Sequence, residues 1–592
     1  MRDEGVGRHG VTEAVLVAAR ADFAERAGKD VHMMRYDPLP ALGWQMLAEM
    51  FLDYVAARSV QDPALSCLDA RAAFQSAARA AVGALELTAS GGAETRVVVD
   101  YVGIEGVYRD AEPDGGRGVV SAVDWVDAFC LSFVAGTLPE TASAFIESSA
   151  VLRGRSEHAD TALAHALLAY VYGYAADRDL AQGQTLTSGA SNLALVERCV
   201  WRVAPGEDRP RQRAALSTLR ALAAGDRDGF LRCLRSQLTV HRRIQESRSD
   251  GSRTARSLLP LDAIALAAMA HRWLQWSAPL SDYLPAALVT GLARAPLRVL
   301  AHGRDKRPDA LAALAAGPLT VERPRSPRPA LPRESVYDQS SGEAVAKFRD
   351  PTADPAGVAQ GLTALREIQS VRFLSRAASD PDGADPRQHA ALRIGAQAGA
   401  AALRLAHAAP DTWVEVTVDG TTRLLPALRD PGAVTVTAWR RTAALAMAVG
   451  LPDLLADCAR TAPEQFAAGR GGANTAYALA LHAYLSGTDP EHALDRALRN
   501  DGRRARAADG PGAPAVLLSQ LVAGDRTGFV LALADALEEH RDHFTVGDRG
   551  TAVDAAVSLD VLGLACHAHR MGWDVVVHSP YLPRGLLRRS PD

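Results

Sequence analysis

Apolar residues recur at every fourth position in several segments of the chain. Phe230, Leu234 and Leu238 follow this spacing and predict one apolar stripe along a helix. The same spacing returns at Phe529, Leu533 and Leu537. Asp226 and Asp525 precede the two stripes, where a carboxylate accepts hydrogen bonds from the first backbone amides of a helix. Many Ala- and Leu-rich segments of this kind, separated by Gly, Asp and Pro, predict a mainly α fold of paired helices, either a solenoid-like stack or a bundle.

The chain repeats one pattern at a spacing of roughly 300 residues, far longer than the repeats of small solenoids. Residues 224–230 read AGDRDGF and residues 523–529 read AGDRTGF, and the leucine register continues beyond both segments. The block closes with SDYLP at 281–285 and SPYLP at 579–583. Weaker matches lie upstream in the same order, at Trp125 and Trp439, Tyr170 and Tyr484, and Gly173 and Gly487. Ala and Leu bias does not produce shared Gly, Asp, Phe, Tyr and Pro, so we infer two divergent copies of one unit.

The matches predict a first unit at residues 1–310 and a second at residues 355–592. The join at residues 311–354 contains RPRSPRP at 323–329. Prolines at this density cannot continue a helix, so we expect an extended, solvated linker.

Each unit is expected to carry a small β-hairpin. In the second unit, residues 413–418 alternate apolar and polar side chains before Asp419-Gly420, a pair suited to a type I′ turn. In the first unit, residues 85–88 and 96–99 flank the sequence SGG at 90–92 and are expected to pair.

The net charge of −4 argues against a nucleic-acid-binding surface spread over the whole chain. The six cysteines are scattered without a Cys-x-x-Cys pair, which favours free thiols in a reducing compartment. No run approaches the ~18 apolar residues of a membrane span. Residues 1–10 are charged and glycine-rich, unlike a signal peptide, so we expect a cytoplasmic protein without membrane partners.

Three short motifs suggest ligand chemistry but favour simpler interpretations, and no cofactor or metal is expected. GVGRHG at 5–10 fits a dinucleotide-binding pattern, but no strand precedes it, and a frayed tail is favoured. CHAH at 566–569 places its side chains at i, i+1 and i+3, which do not converge on one ion, so a packed or partly exposed helix face is favoured. GRGG at 469–472 is either an anion cradle or, as we prefer, a flexible loop.

A recurring set of Asp, His and Arg offers the best candidates for catalysis. These residues are Asp262, His271 and Arg272 in the first copy and Asp560, His569 and Arg570 in the second. An active site would require each set to converge in one pocket. We favour a structural interpretation, with Asp at the start of a helix and Arg near its end, each complementing the helix dipole. Because nucleophile, zinc-protease, P-loop and kinase motifs are missing from the sequence, we assign no catalytic residue and expect no enzyme.

The end of the second copy resembles a known family. Ser558-Leu559-Asp560, Gly563-Leu564, Gly572-Trp573 and the SPYLP block resemble the C-terminal part of the immunity protein 49 family of actinobacteria. The resemblance implies a mostly helical antidote that binds and neutralises a toxin encoded by a neighbouring gene. The first copy departs from the motif, with Leu274-Gln275-Trp276 in place of Gly572-Trp573.

Immunity is therefore the function that the sequence predicts, through a protein partner and without nucleic acid. The alternative is a helical scaffold or regulatory binding protein without catalytic activity, because tandem helical units often present concave surfaces to partners. The sequence leaves the partner-binding residues unknown.

The two-unit organisation predicts the outcome of limited proteolysis. Trypsin is expected to cut first in the Arg- and Pro-rich segment at 323–329 and to give two fragments near half of the chain mass, because exposed extended backbone is cleaved fastest. Mass spectrometry of a digestion time course identifies the cut. Early fragments that map inside either unit would contradict the prediction.

Overall fold

The computed structural model divides into two compact units, Met1–Ala295 and Pro296–Asp592. It describes residues 5–34, 40–89, 95–99, 101–108, 121–152, 159–174, 189–203, 209–292, 308–324, 334–350, 352–428, 435–461, 473–504 and 514–587. Both units are mainly helical, and the strands among the described residues form two-stranded pairs, which confirms the predicted fold class. No helix among the described residues is long and apolar enough to cross a bilayer.

The first unit consists of helices joined by short connections and one hairpin. Its elements are α1 (Glu13–Arg20), α2 (Phe23–Met33), α3 (Pro40–Gln61), α4 (Leu68–Ala89), β1 (Thr95–Val99), β2 (Ile104–Tyr108), α5 (Ala122–Ala135), α6 (Leu138–Leu152), α7 (Ala159–Tyr172), α8 (Gly189–Trp201), α9 (Pro210–Ala223), α10 (Arg227–Glu246), α11 (Leu261–Leu274) and α12 (Ala286–Thr290). Asp226 accepts a 2.8 Å hydrogen bond from the Gly229 amide, which confirms the predicted cap of α10.

The second unit repeats this order. Its elements are α13 (Pro308–Ala316), β3 (Leu319–Thr320), α14 (Glu334–Arg349), α15 (Pro355–Ser379), α16 (Pro386–His407), β4 (Trp413–Val418), β5 (Thr421–Pro426), α17 (Val436–Val449), α18 (Pro452–Ala459), α19 (Ala473–Ser486), α20 (Glu491–Arg504), α21 (Ala515–Val522), α22 (Arg526–Phe544), α23 (Leu559–Arg570), β6 (Val577–His578) and α24 (Arg584–Leu587). Asp525 caps α22 through the Gly528 amide at 2.9 Å, as predicted.

A buried tryptophan lies in the core of each unit. Trp125 on α5 and Trp439 on α17 are both fully buried, and each indole N–H donates a hydrogen bond within its own unit. Trp125 donates to Ser148 Oγ at 2.9 Å and Trp439 donates to the Cys458 carbonyl at 3.2 Å. The repeated tryptophan therefore positions the same central helix in both units.

Both hairpins are present, and the first lies later in the sequence than predicted. The second hairpin pairs Trp413 with Pro426 and turns at Asp419-Gly420, as predicted. In the first unit the segment 85–88 belongs to α4, where Leu85 and Leu87 are buried. The predicted strand 96–99 instead pairs with β2, after it. The apolar positions of the segment 85–88 therefore serve a helix face, and the prediction of a strand there was wrong.

An extended segment closes each unit by adding to the Tyr-Leu-Pro block. In the second unit β3 runs parallel to β6, pairing Leu319 with Val577, and Ser579 Oγ donates to the Val321 carbonyl at 2.8 Å. In the first unit Val6 bridges Ser281, whose Oγ donates to the Val6 carbonyl at 2.7 Å. In both units an extended segment near the N-terminal end therefore pairs with residues near the C-terminal end.

These closing segments correct two expectations. Residues 5–10 were expected to fray, but His9 is buried and accepts or donates hydrogen bonds to Tyr283 Oη at 2.8 Å and Ser257 Oγ at 2.8 Å. The linker was expected at 311–354, yet Leu319 and Val321 are buried in the core of the second unit. Helix α14 lies in the same stretch and buries Phe348. The structure therefore places these residues in the second unit, and residues 325–333 lie outside the described part.

Helices α17 and α23 are in close contact at a glycine. A Cβ atom added at Gly563 would lie 2.7 Å from the Ala444 carbonyl oxygen and 3.1 Å from its Cα. Backbone atoms at this distance cannot rotate away, so any side chain at residue 563 must separate the two helices.

We expect Gly563→Ala to destabilise the second unit by about 1–3 kcal/mol, the usual cost of overpacking a core. Hydrogen exchange should become faster in α17 and α23, with the first unit unchanged. Gly251→Ala is the control, because a Cβ atom there meets nothing within 4 Å. Equal effects of the two substitutions would show that the helices have room to separate.

Candidate functional site

The recurring Asp and Arg of the first unit bind different partners and do not form one site. Arg272 lies against the C-terminal end of α5, where it donates to the carbonyls of Phe133 and Val134, each at 3.0 Å. It also donates to the carbonyls of Leu288 at 3.0 Å and Val289 at 3.2 Å. Carbonyls in the last turn of a helix have no partner within that helix, and Arg272 satisfies them.

Arg570 has the same role in the second unit. It donates to the Ala448 carbonyl at 3.2 Å, and Ala448 occupies the position of Val134 in the register set by the two tryptophans. Burial lowers the pKa of both arginines. Both arginines lie in the last turn of their own helix, as predicted, and their guanidinium groups donate to carbonyls at the end of a neighbouring helix.

Asp262 lies in the first turn of its helix, as predicted, and forms an ion pair there. The N-cap of α11 is Pro260, and Asp262 is buried one residue inside the helix. Its Oδ2 lies 3.1 Å from Arg211 Nε. Burial alone would raise the pKa of Asp262, but the charge and hydrogen bond of Arg211 outweigh burial and lower it.

Asp127 shares the same arginine at a longer distance. Its Oδ1 lies 3.9 Å from Arg211 Nη2. Burial raises the pKa of Asp127 to about 7, Arg211 opposes that shift, and the nearby carboxylate of Asp262 adds to it. One arginine therefore faces two carboxylates, and Asp127 is the less compensated of the two.

A second ion pair joins α3 to the short 3-10 helix Ala255–Leu258. Arg256 Nη1 lies 2.5 Å from Glu49 and 3.9 Å from Asp53. The backbone amide of Arg256 also donates to Asp53 Oδ1 at 2.7 Å. These contacts position the loop before α11 against α3.

The second unit has an ion network at the equivalent place. Arg441 lies 2.6 Å from Glu367 and 3.6 Å from Asp554. Asp560 lies in the first turn of α23, as predicted, and forms an ion pair at 3.4 Å with Arg440, which precedes Arg441 on α17. The network joins α15, α17 and the loop before α23.

The network of Glu367, Arg441 and Asp554 has an equivalent in the first unit. Two of its three positions carry the opposite charge there. Glu367 corresponds to Glu49, because Asp62 and Asp380 follow them at the same distance and each accepts from the amide five residues later. The repeat register pairs Arg441 with Asp127, and Asp554 with Arg256. A catalytic site shared by both units would need the same groups in both, so we interpret these networks as ion pairs that hold loops and helices together.

The CHAH segment is part of a packed helix. Cys566 is buried, and burial raises the pKa of its thiol to about 12. His567 Nε2 lies 3.1 Å from Tyr484 Oη, and His569 is exposed. No cluster of three His, Cys, Asp or Glu residues able to hold a metal occurs in the described ranges. The GRGG segment lies outside those ranges.

A cavity of about 440 Å³ lies between α19 and α20 of the second unit. His482, His492 and Arg496 line it together with small and apolar residues, and its lining contains no carboxylate or thiol. His482 Nε2 is within hydrogen-bond distance, 2.9 Å, of the Ala459 carbonyl. The cavity therefore lacks a paired acid and base.

The match to known families covers most of the chain in two parts. Residues 58–288 and 380–586 each match the family described as Immunity protein 49. The chain belongs to the immunity protein 49 family. Comparisons with curated proteins and with solved structures found no match.

Both immunity protein 49 units keep the Trp of the C-terminal motif, although the sequences differ there. Trp573 packs edge-on against Phe529 at 5.4 Å, and Trp276 packs against the equivalent Phe230 at 5.6 Å. Gln275 adopts a left-handed conformation at φ 57°, as Gly572 does at φ 79°. The first copy therefore has one additional residue between the arginine and the Trp and retains the packing of the Trp.

Buried histidines predict how stability depends on pH. Burial lowers the pKa of His540 to about 4, partly opposed by the Ala555 carbonyl and aided by Arg323. The unfolded chain therefore binds a proton more readily, and the free energy of unfolding of the second unit should fall as pH falls from about 6.5 to about 4. His540→Leu should reduce this dependence in urea denaturation series, and His567, whose pKa burial also lowers to about 4, should retain its own contribution. His578→Leu, at an exposed position, is the control, and equal slopes in the two variants would refute the assignment.

Proposed function

We propose that this protein is an immunity protein that binds a cognate toxin and neutralises it by protein–protein interaction. Membership of the immunity protein 49 family by both units carries the proposal. We place the complex in the cytoplasm of the producing cell, with the toxin encoded by a neighbouring gene of a polymorphic toxin system.

The geometry of the recurring polar residues supports binding in place of catalysis. Arg272 and Arg570 bind helix-end carbonyls, whereas Asp262 and Asp560 bind other arginines. The polar residues that the two units share thus stabilise the fold. Neutralisation by binding requires a complementary surface and slow dissociation, and both are available to a rigid helical unit.

Co-expression tests the proposal directly. The neighbouring gene is induced in a sensitive host with and without this protein, and we expect growth to be restored only with it. A toxin from an unrelated locus is the specificity control, and it should remain lethal. The purified pair should also form a complex by size-exclusion chromatography.

Two results would contradict the proposal. A neighbouring product that kills regardless, or that forms no complex, would remove the immunity function. Rescue by enzymatic modification of the toxin, with no stable complex and an altered toxin mass, would show that the protein acts as an enzyme.

A further inference from the structure

One face of α3 carries exposed apolar and acidic side chains in a single row. Leu42, Met46, Glu49 and Asp53 are spaced four, three and four residues apart, so they lie on the same side of the helix. Leu42 is 43% and Met46 62% exposed. Trp44 lies on the opposite side of the helix and is fully buried. The core therefore does not require large apolar residues at the two exposed positions.

The row continues onto α5. Gln45 Nε2 donates to Asp124 Oδ1 at 3.1 Å and joins the two helices. Val123 and Asp127 lie four residues apart on α5, and both are about one-third exposed, at 38% and 32%. Arg256 lies between the helices and acts electrostatically on Asp127 while it binds Glu49. We call the surface formed by Leu42, Met46, Glu49, Asp53, Val123 and Asp127 the α3–α5 face.

Carboxylates outnumber arginines on and around this face. Two arginines, Arg211 and Arg256, lie among five carboxylates. The carboxylates are those of Glu49, Asp53, Asp124, Asp127 and Asp262. Glu49 and Asp127 reach the surface at this place, and the two arginines are shared among these carboxylates. The face therefore has more acidic than basic side chains.

The second unit lacks both properties at the equivalent place. Gln360 and Ala364 stand where the first unit has Leu42 and Met46, and Arg441 stands where it has Asp127. Glu367 and Asp554 balance the arginines there. At this place, exposed apolar residues and a surplus of carboxylates therefore occur together in the first unit and not in the second. Since both units have the same fold, the fold itself does not require them.

We propose that the α3–α5 face of the first unit docks a basic, amphipathic segment of the toxin. The inference rests on the proposed immunity function and names the surface that serves it. Apolar side chains of the partner would cover Leu42, Met46 and Val123, and Arg or Lys side chains would approach Asp127 and Glu49. Apolar contact slows dissociation, whereas complementary charge accelerates association and sets the partner's orientation.

Two substitutions in the full-length chain test the face. Met46→Lys removes apolar contact and adds repulsion, and it should weaken toxin binding at least about tenfold, as loss of a central contact does. Asp127→Asn should weaken binding about threefold or more and reduce its dependence on ionic strength. The same Asp127→Asn chain should melt at a higher temperature at pH 8, because a group whose folded pKa is raised to about 7 loses stability when it ionises.

The second unit supplies matched controls. Val336→Lys changes another exposed apolar residue, and Asp554→Asn neutralises an acid of the equivalent network. Both should bind the toxin as the wild type does. Hydrogen exchange of the complex should show protection in Pro40–Gln61 and Ala122–Ala135, with no change in Pro355–Ser379.

The outcomes separate this proposal from the proposed function. A wild-type complex that all four variants form equally well, or protection at the hairpin 413–426 instead of α3, overturns the docking face and leaves immunity intact. Asp127→Asn that weakens binding and also lowers the melting temperature at pH 8 assigns Asp127 a folding role and overturns its part in docking. A wild-type chain that does not bind the neighbouring product removes both.

Discussion

The contact between the tryptophan helix and the last long helix of each unit determines where the remaining elements lie. In the second unit Gly563 of α23 brings that helix against the backbone of Ala444 on α17. Arg570 then reaches the carbonyl of Ala448 at the end of α17. A side chain larger than glycine at residue 563 would separate the two helices. A side chain shorter than arginine at residue 570 would not reach the Ala448 carbonyl. The ion network attaches to α17 and to the loop before α23, and the closing segment β3 pairs with β6 shortly after α23.

The two copies of the unit show which residues the fold requires, because both copies have the same fold but differ in sequence. The residues that match between the units, such as the N-cap aspartates, the tryptophans and the helix-capping arginines, all have structural partners. The ion networks keep their place while two of their three positions exchange sign. Because an ion pair is equally favourable in either orientation, such an exchange preserves attraction between the elements and changes the surface charge locally.

Divergence between copies is therefore more informative about binding than similarity. Immunity protein 49 units share a helical framework, and a partner surface on one of them is free to change while the other keeps the framework. The pKa of Asp127 is raised to about 7 by burial, although Arg211 lies 3.9 Å away, and the second unit has Arg441 at that position. Stability alone does not favour a carboxylate there, whereas a cationic partner would.

The sequence by itself determined the helical class, the duplication, the caps at Asp226 and Asp525, and the hairpin at Asp419-Gly420, because each depends on neighbours within a few residues or on recurring register. Tertiary structure decided the rest. Leu85 and Leu87 are equally suited to a strand and a helix, and only the packing of α4 selects the helix. Residues 5–10 and 319–323 gain structure from strands and loops more than 200 residues away, a partnership that local sequence does not encode. Likewise, the sequence placed Asp262 and Asp560 at the starts of their helices, but the arginines that bind them come from other helices.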